Sequence, residues 1–424
     1  ATAGARRQRQ TRLAHPALTG SISPNRASLG CIGAAGRTIQ PLYYYVDHTS
    51  RFAHNSGIQR CVRALARALL ELGQPLIPVV WDRQRQCLAP AGPEALQHLA
   101  RWSGPTPQAW SAWPATTGAA TPRWLLIVEL VSGPHNPSRE QLLAATRPLN
   151  LQLAWLFHDA IPVRWARLYG AQASEAARCH ATYMAALAGY ERVFCNSHTT
   201  RQHLLEFLAE QGLAGDPQAL TQRLRPLPLA EAFGTERAPA PSPRRAGERL
   251  NLLCVSTLEP RKNHRGLLKA LAWLHARGLR HWQLQLVGWG AEGWVVEMVQ
   301  RARAMGLPVA WHGRADDPTL ERLYGQADLC VYPSLEEGFG LPVAESLWHR
   351  RPCLCSGDGA LAERAAGGGC LTVNTADWRA IAAGLERLLM EPNLRQQLSH
   401  QAEARPFRRW PQVAAELLAG LQQP

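Results

Sequence analysis

Apolar and polar positions fall into two repeating patterns from about residue 42 to the end of the chain. Short apolar runs bounded by polar, Gly or Pro residues read as buried strands. Longer stretches with apolar positions three or four apart read as helices. The expected strands are Leu42–Val46, Leu76–Trp81, Trp124–Val128, Leu151–Phe157, Val193–Cys195, Leu250–Ser256, Leu284–Val287, Val309–Trp311, Asp328–Tyr332, Pro352–Ser356 and Cys370–Val373. Most are apolar throughout rather than alternating, as strands of a parallel sheet covered on both faces are. Between them, Ile58, Cys61, Val62, Leu65, Leu69 and Leu72 keep helical spacing until Gly73, and Leu267, Leu268, Leu271 and Leu274 do so until Gly278. Repeated strand, loop and helix predict an α/β chain of two Rossmann-like domains with parallel sheets.

The pattern breaks in three places. Residues 1–40 show no periodicity and hold six arginines and no acid, so they read as a disordered basic tail. Residues 84–122 are rich in Pro, Ala and Trp and read as a surface insertion. Its Trp102, Trp110 and Trp113 are able to stack on a sugar or lipid, although packing is the commoner use of each. The third break, residues 226–249, holds five prolines and reads as a linker between domains 41–225 and 250–404. An amphipathic helix closes the chain over 405–424.

Composition narrows the class. With 46% hydrophobic and 18% charged residues over 424 positions, the chain is globular, and no apolar run reaches the ~20 residues of a spanning helix. It opens on Ala1 without Met, which leaves room for an upstream segment. Ten cysteines without a C-x-x-C pair read as reduced core thiols, which suits a cytoplasmic location and makes metal binding a poor second. The net charge of +14 is carried by arginine, since Lys262 and Lys269 are the only lysines. Such a charge attracts sugar nucleotides, lipid phosphates or an anionic membrane face, with peripheral membrane contact as one expectation. Charge alone also allows nucleic acid, but no nucleic-acid motif is present.

The chemistry concentrates in Tyr332-Pro-Ser-Leu-Glu-Glu337-Gly-Phe-Gly-Leu-Pro-Val-Ala-Glu345-Ser346. A strand runs into Gly338 and Gly340, where the backbone can turn and approach a ligand, and Pro342 stands where a helix would begin. The amides of such a helix start form an anion site. Glu337 and Glu345 would repel a phosphate that they faced, so they are assigned to neutral hydroxyls on either side of it. Dipole compensation by an acidic first turn accounts for Glu345 alone, but not for two glutamates around a Gly-Phe-Gly turn.

This segment resembles the Glu-x7-Glu signature of the family 4 retaining glycosyltransferases, which have the GT-B fold. The resemblance runs from about residue 42 onward and is densest over 250–365. It implies that Glu337 holds hydroxyls of a donor sugar and Glu345 the ribose, while the backbone from Gly338 through Phe339 and Gly340 to Leu341 faces sugar and diphosphate. Thr257-Leu-Glu-Pro-Arg261-Lys262-Asn263 is similar to the family's phosphate-clamping loop. Many relatives place a further Arg where Ser256 or Thr257 stands, so the clamp here is assigned to Arg261 with Lys262. The His158-Asp-Ala-Ile-Pro162 and Ser56-Gly57-Ile-Gln-Arg60 segments resemble donor-contacting stretches, and Gly313 corresponds to a loop beside the nucleobase. At Arg350-Arg351 relatives carry a small residue or Gly, so a different turn is expected there. The family tail implies that the last helix crosses back onto the first domain.

The function thus implied is retaining transfer of a hexose, with GDP-mannose as the first candidate donor and a glycan or lipid-linked acceptor. It needs no metal and no cofactor beyond the donor substrate; the absence of any Asp-x-Asp agrees with that. Two other readings stand beside it: another GT-B enzyme, such as a sugar-nucleotide epimerase or a phosphorylase, and a non-catalytic basic scaffold for nucleic acid or membrane.

Overall fold

The computed structural model describes residues 39–423, apart from 53–54, 115–121, 134, 170–172, 235–236, 246 and 291–292. The expected basic tail lies, but for its last two residues, outside the described residues.

The first sheet contains β1 (Leu42–Tyr45), β2 (Leu76–Asp82), β3 (Cys87–Pro90), β4 (Arg123–Ile127), β5 (Leu151–Phe157), β6 (Arg192–Cys195) and β7 (Leu224–Pro226). Their order is β3-β2-β1-β4-β5-β6-β7, and every pair is parallel except β2 with β3. The second sheet contains β8 (Leu250–Val255), β9 (Trp282–Val287), β10 (Val309–Trp311), β11 (Leu329–Tyr332), β12 (Cys353–Ser356) and β13 (Cys370–Val373). It is wholly parallel, in the order β10-β9-β8-β11-β12-β13. Each sheet reverses its direction of winding beside its first strand, β1 or β8. Crevices that take ligands open at the C-terminal strand ends of such switch points.

Both sheets are buried on both faces, which is why their strands read as apolar runs. Tyr43 and Tyr45 enter one core of the first domain, while Leu42, Tyr44 and Val46 enter the other. In the second domain Leu329 and Val331 face one core, and Cys330 and Tyr332 the other. No helix among the described residues is long and apolar enough to cross a membrane.

The stretch 84–122 is more than a surface insertion. Its β3 adds an antiparallel edge to β2, with Asp82 opposite Cys87 and Val79 opposite Pro90. Four residues ending in Pro gave too short a pattern to register, and an edge strand is where such a Pro is tolerated. Trp113 meets Tyr43 edge-on at 5.4 Å, and Trp110 lies 6.1 Å from Tyr44, so both indoles pack. β7 likewise went unexpected, because Pro226 was assigned to the linker. Leu227, Leu229 and Ala230 beyond it are buried in the first domain, and among the described residues no helix or strand follows until β8.

Arg350 and Arg351 show why no glycine is required at their turn. Arg350 takes the left-handed conformation itself, at φ 59°. Its neighbour Arg351 is buried and donates to Tyr324 O, Gly325 O and Pro239 O, which ties the linker to the second domain. Helix Asp317–Gln326 is capped by Asp316, which accepts from the Thr319 amide at 3.0 Å. The last helix, Trp410–Gln422, places Val413, Ala414, Leu417 and Leu421 in the same core as Val62, Leu65 and Leu69 of helix Gly57–Glu71. The chain therefore ends on its first domain.

Candidate active site

Seven chain segments leave the C-terminal ends of strands and meet in one cleft of about 860 Å³, two of them the loops after β9 (Gly288, Trp289) and β10 (Arg314, Ala315). From the first domain come the start of helix Gly57–Glu71 after β1, His158 after β5 and Asn196 after β6; from the second come Ser256 to Lys262 after β8 and Glu337 to Leu341 after β11.

Two helix N-termini converge there. Ser56 caps helix Gly57–Glu71 in a capping box with Gln59. The opposing helix, Leu341–Trp348, begins behind Gly340 at φ 90°, with Pro342 in its first turn. A Cβ on Gly57 would stand 3.2 Å from Leu341 Cδ1, so the two starts nearly touch. Among the described residues, the amides of Phe339, Gly340 and Leu341 have no hydrogen-bond acceptor. Unpaired amides at two positive dipole ends favour an anion.

Glu337 is the hub of the second domain's side of the cleft. Its Oε1 accepts from Lys262 Nζ at 2.6 Å, Arg261 Nη1 at 2.7 Å, Tyr332 Oη at 2.9 Å and Ser334 Oγ at 2.5 Å. Burial by itself would raise this carboxyl's pKa, but Arg261 and Lys262 outweigh it and hold Glu337 at about 2. Burial lowers the pKa of Lys262, against the pull of Glu337.

The anticipated Arg–Lys clamp is divided. Lys262 lines the cleft; Arg261 does not, because its guanidinium is committed to Glu337, to Glu259 at 2.6 Å and to Glu336 O at 2.6 Å. Arg261 is thus the fixed counter-charge behind Glu337, and Lys262 is the one of the pair that faces the cleft. Ser256 Oγ, in the same loop, is hydrogen-bonded to His264 Nε2 at 3.0 Å.

Glu345 is buried in the helix flank and doubly engaged. Tyr324 Oη donates to its Oε2 at 2.8 Å, and Arg60 Nη1 reaches its Oε1 from the first domain at 2.7 Å. His158 donates Nε2–H to Val128 O at 2.6 Å, which leaves Nδ1 as the unprotonated nitrogen; burial keeps its pKa low and the ring neutral. Gly313, like Arg261, is an assigned residue that the structure leaves off the cleft wall: its φ is 65° and its carbonyl accepts from Gly288 N, while Arg314 and Ala315 beyond it line the cleft.

Asn196 and Arg314 line the cleft without a role in the sequence reading, whereas Arg60 and Trp102 enter that reading only within a segment and as a ring able to stack. Arg60 had a signal, since positions 57, 60 and 61 share one helix face with the assigned Gly57. Arg314 lies over the Trp289 ring at 5.3 Å, a pairing across loops that no sequence spacing encodes.

Residues 239–405 match the family model described as Glycosyl transferases group 1. O-antigen chain mannosyltransferase B of Escherichia coli is 34% identical over 147 residues, which is 34% of this chain and 38% of that protein. The serotype-specific mannosyltransferase WbdA of Escherichia coli is 24% identical over 329 residues, 70% of this chain and 36% of that protein. The chain thus spans less than two fifths of the length of either relative. Sucrose-phosphate synthase from Thermosynechococcus elongatus superposes with a TM-score of 0.61 at 19% identity, covering 91% of this chain and 98% of that one. Anabaena HepE, solved with UDP and glucose, gives 0.58 at 13% identity, covering 90% and 99%. Residues 239–405 thus match the glycosyl transferases group 1 model, within a chain that has the two-domain GT-B fold.

Proposed function

We propose that this chain is a retaining hexosyltransferase that moves mannose from GDP-mannose to a glycan or lipid-linked acceptor. One observation carries the reading: Lys262 and the unpaired amides of Phe339, Gly340 and Leu341 share a cleft with two carboxylates, Glu337 and Glu345. That pattern fits a diphosphate flanked by two polyols. Ribose hydroxyls donate to Glu345, and hexose hydroxyls donate to Glu337 and to the free nitrogen of His158. The mannosyl donor is supported by the names of the two curated relatives.

The chemistry follows from the charges. As the bond from the sugar to the diphosphate lengthens, the leaving group gains negative charge, which Lys262 and the turn amides neutralise without reorganising. Glu337, ionised down to about pH 2, is no general acid. A diphosphate needs no protonation to depart, so none is required. The acceptor hydroxyl attacks from the face that the diphosphate leaves and gives its proton to a donor phosphate oxygen, so configuration is retained. The acceptor enters over the first domain, and a cytoplasmic setting with peripheral membrane contact belongs to the same reading.

The test is a screen of GDP-mannose, GDP-fucose, UDP-glucose and UDP-N-acetylglucosamine for hydrolysis and for transfer to lipid-linked glycans. GDP-mannose turnover with retained anomeric configuration is the expected result. A protein that turns over none of them and is stabilised by DNA rather than by GDP would return the chain to the basic-scaffold reading.

A further inference from the structure

The turn that carries Gly338 is held in its conformation from the opposite domain. Gly338 O accepts from Ser197 Oγ at 2.7 Å and lies 2.9 Å from Thr200 Oγ1, both in the first turn of helix His198–Glu210 or its cap. Ser197 Oγ also lies 2.8 Å from Thr200 Oγ1 and accepts from the Thr200 amide at 3.0 Å. Each hydroxyl has one proton. Thr200 Oγ1 also lies 3.4 Å from His158 O, but Gly338 O is the nearer carbonyl to it and accepts directly from Ser197. These atoms are buried from solvent in a contact between domains, where an unmade hydrogen bond is costly. The fit is tight as well: a Cβ on Gly338 would lie 2.2 Å from His158 O.

A trans peptide points its C=O and the following N–H in opposite directions, and no peptide bond among the described residues is cis. With Gly338 O fixed against the first domain, the N–H of Phe339 is turned away from it and has no acceptor there or elsewhere among the described residues. We infer that Ser197 and Thr200 are positioning residues that hold the Gly338–Phe339 peptide with its N–H toward the diphosphate of the donor. This rests on the proposed nucleotide-sugar reading and extends it: the donor turn of the second domain is completed by the first. Without the two hydroxyls, glycine's freedom at 338 lets the peptide rotate and present a carbonyl oxygen to the phosphates. The consequence is that full anion affinity exists only with the domains closed, when the acceptor-side domain is in place.

The experiment is titration calorimetry of GDP and GMP, with UDP and UMP alongside, on the wild type, Thr200→Val, Ser197→Gly and the double variant. Glycine is tolerated at a helix N-cap, so Ser197→Gly removes the hydroxyl donor without adding a charge; melting temperature checks folding. The expected result is about a 10-fold loss of diphosphate affinity in the double variant, the size of one hydrogen bond to a charged group. GMP affinity stays at the wild-type value, and Thr200→Ser behaves as wild type. Equal GDP affinity across the variants, or equal losses for GDP and GMP, would overturn the assignment of a phosphate-facing amide. A wild type that binds neither diphosphate overturns the nucleotide-sugar reading itself, and this inference with it.

Discussion

Arg60 and Glu345 meet across the cleft at 2.7 Å, one from each domain, with the carboxylate buried and the guanidinium partly exposed. Tyr324 supports Glu345 from behind at 2.8 Å, and its ring stacks on His349 with centroids 4.9 Å apart. Before a donor enters, the residue assigned to the ribose is therefore already satisfied by a cation of the opposite domain. Arg60→Ala leaves a buried carboxylate with one partner fewer. It is expected to destabilise the protein by about 1–3 kcal/mol, below the full cost of breaking a buried pair because Arg60 is partly solvated. Chemical denaturation of Arg60→Ala against wild type measures this, and an unchanged midpoint would show that the pair contributes nothing.

Glu337→Gln is expected to abolish transfer while leaving nucleoside-diphosphate affinity at least as high as in the wild type. On the proposed function the carboxylate serves the sugar, and its removal frees Lys262 from its 2.6 Å contact toward the phosphates. Calorimetry with GDP decides it. A loss of GDP affinity as large as that caused by Glu345→Ala would contradict the assignment of the two glutamates.

Lys262→Ala should cost on the order of 2–4 kcal/mol in kcat/KM for the donor, as the loss of one oxyanion donor does. Lys262→Arg should be only partly tolerated, since a planar fork does not replace a point charge held between Glu337 and Tyr332. Lys269→Arg is the control, because Lys269 stands over the Trp378 ring at 4.6 Å, away from the cleft wall. Wild-type kinetics for Lys262→Arg would reduce the segment to a solvated basic loop.

Stability should fall as pH drops from about 6.5. Burial first, then Lys262, lowers the pKa of His264 to about 3, and burial with Arg351, Arg237 and Arg350 lowers that of His349 to about 4. Between those values and the ordinary 6.5, the unfolded chain binds protons that the folded chain refuses, so acid favours unfolding. Glu337 adds a second loss below its ordinary 4.5, as pH falls toward about 2. Melting curves from pH 7.5 to 4 check the first window, and His264→Gln should flatten part of it.

Transfer should persist in excess EDTA, because Lys262 and the turn amides supply the positive charge that the leaving group needs. Loss of activity to the chelator with recovery on Mn²⁺ or Mg²⁺ would assign that task to a metal.

The sequence by itself determined the two sheets, because strands buried on both faces must be apolar at every position, as Leu42–Tyr45 and Leu329–Tyr332 are. It also determined the turn at Glu337 to Glu345, since contacts within one strand–turn–helix unit depend on local spacing. It was silent on β3 and β7, whose three or four residues are too few for a period and which are held by their neighbours' ladders. Only the tertiary structure decided which cation faces the cleft. Arg261 and Lys262 are adjacent in the chain, and what separates their roles is Glu259 and Glu336 closing around one and not the other. The same holds for Arg60 on Glu345 and for Ser197 and Thr200 on Gly338, pairs 285, 141 and 138 residues apart. Such contacts are set by how one folded domain meets the other, and no local pattern of side chains records that.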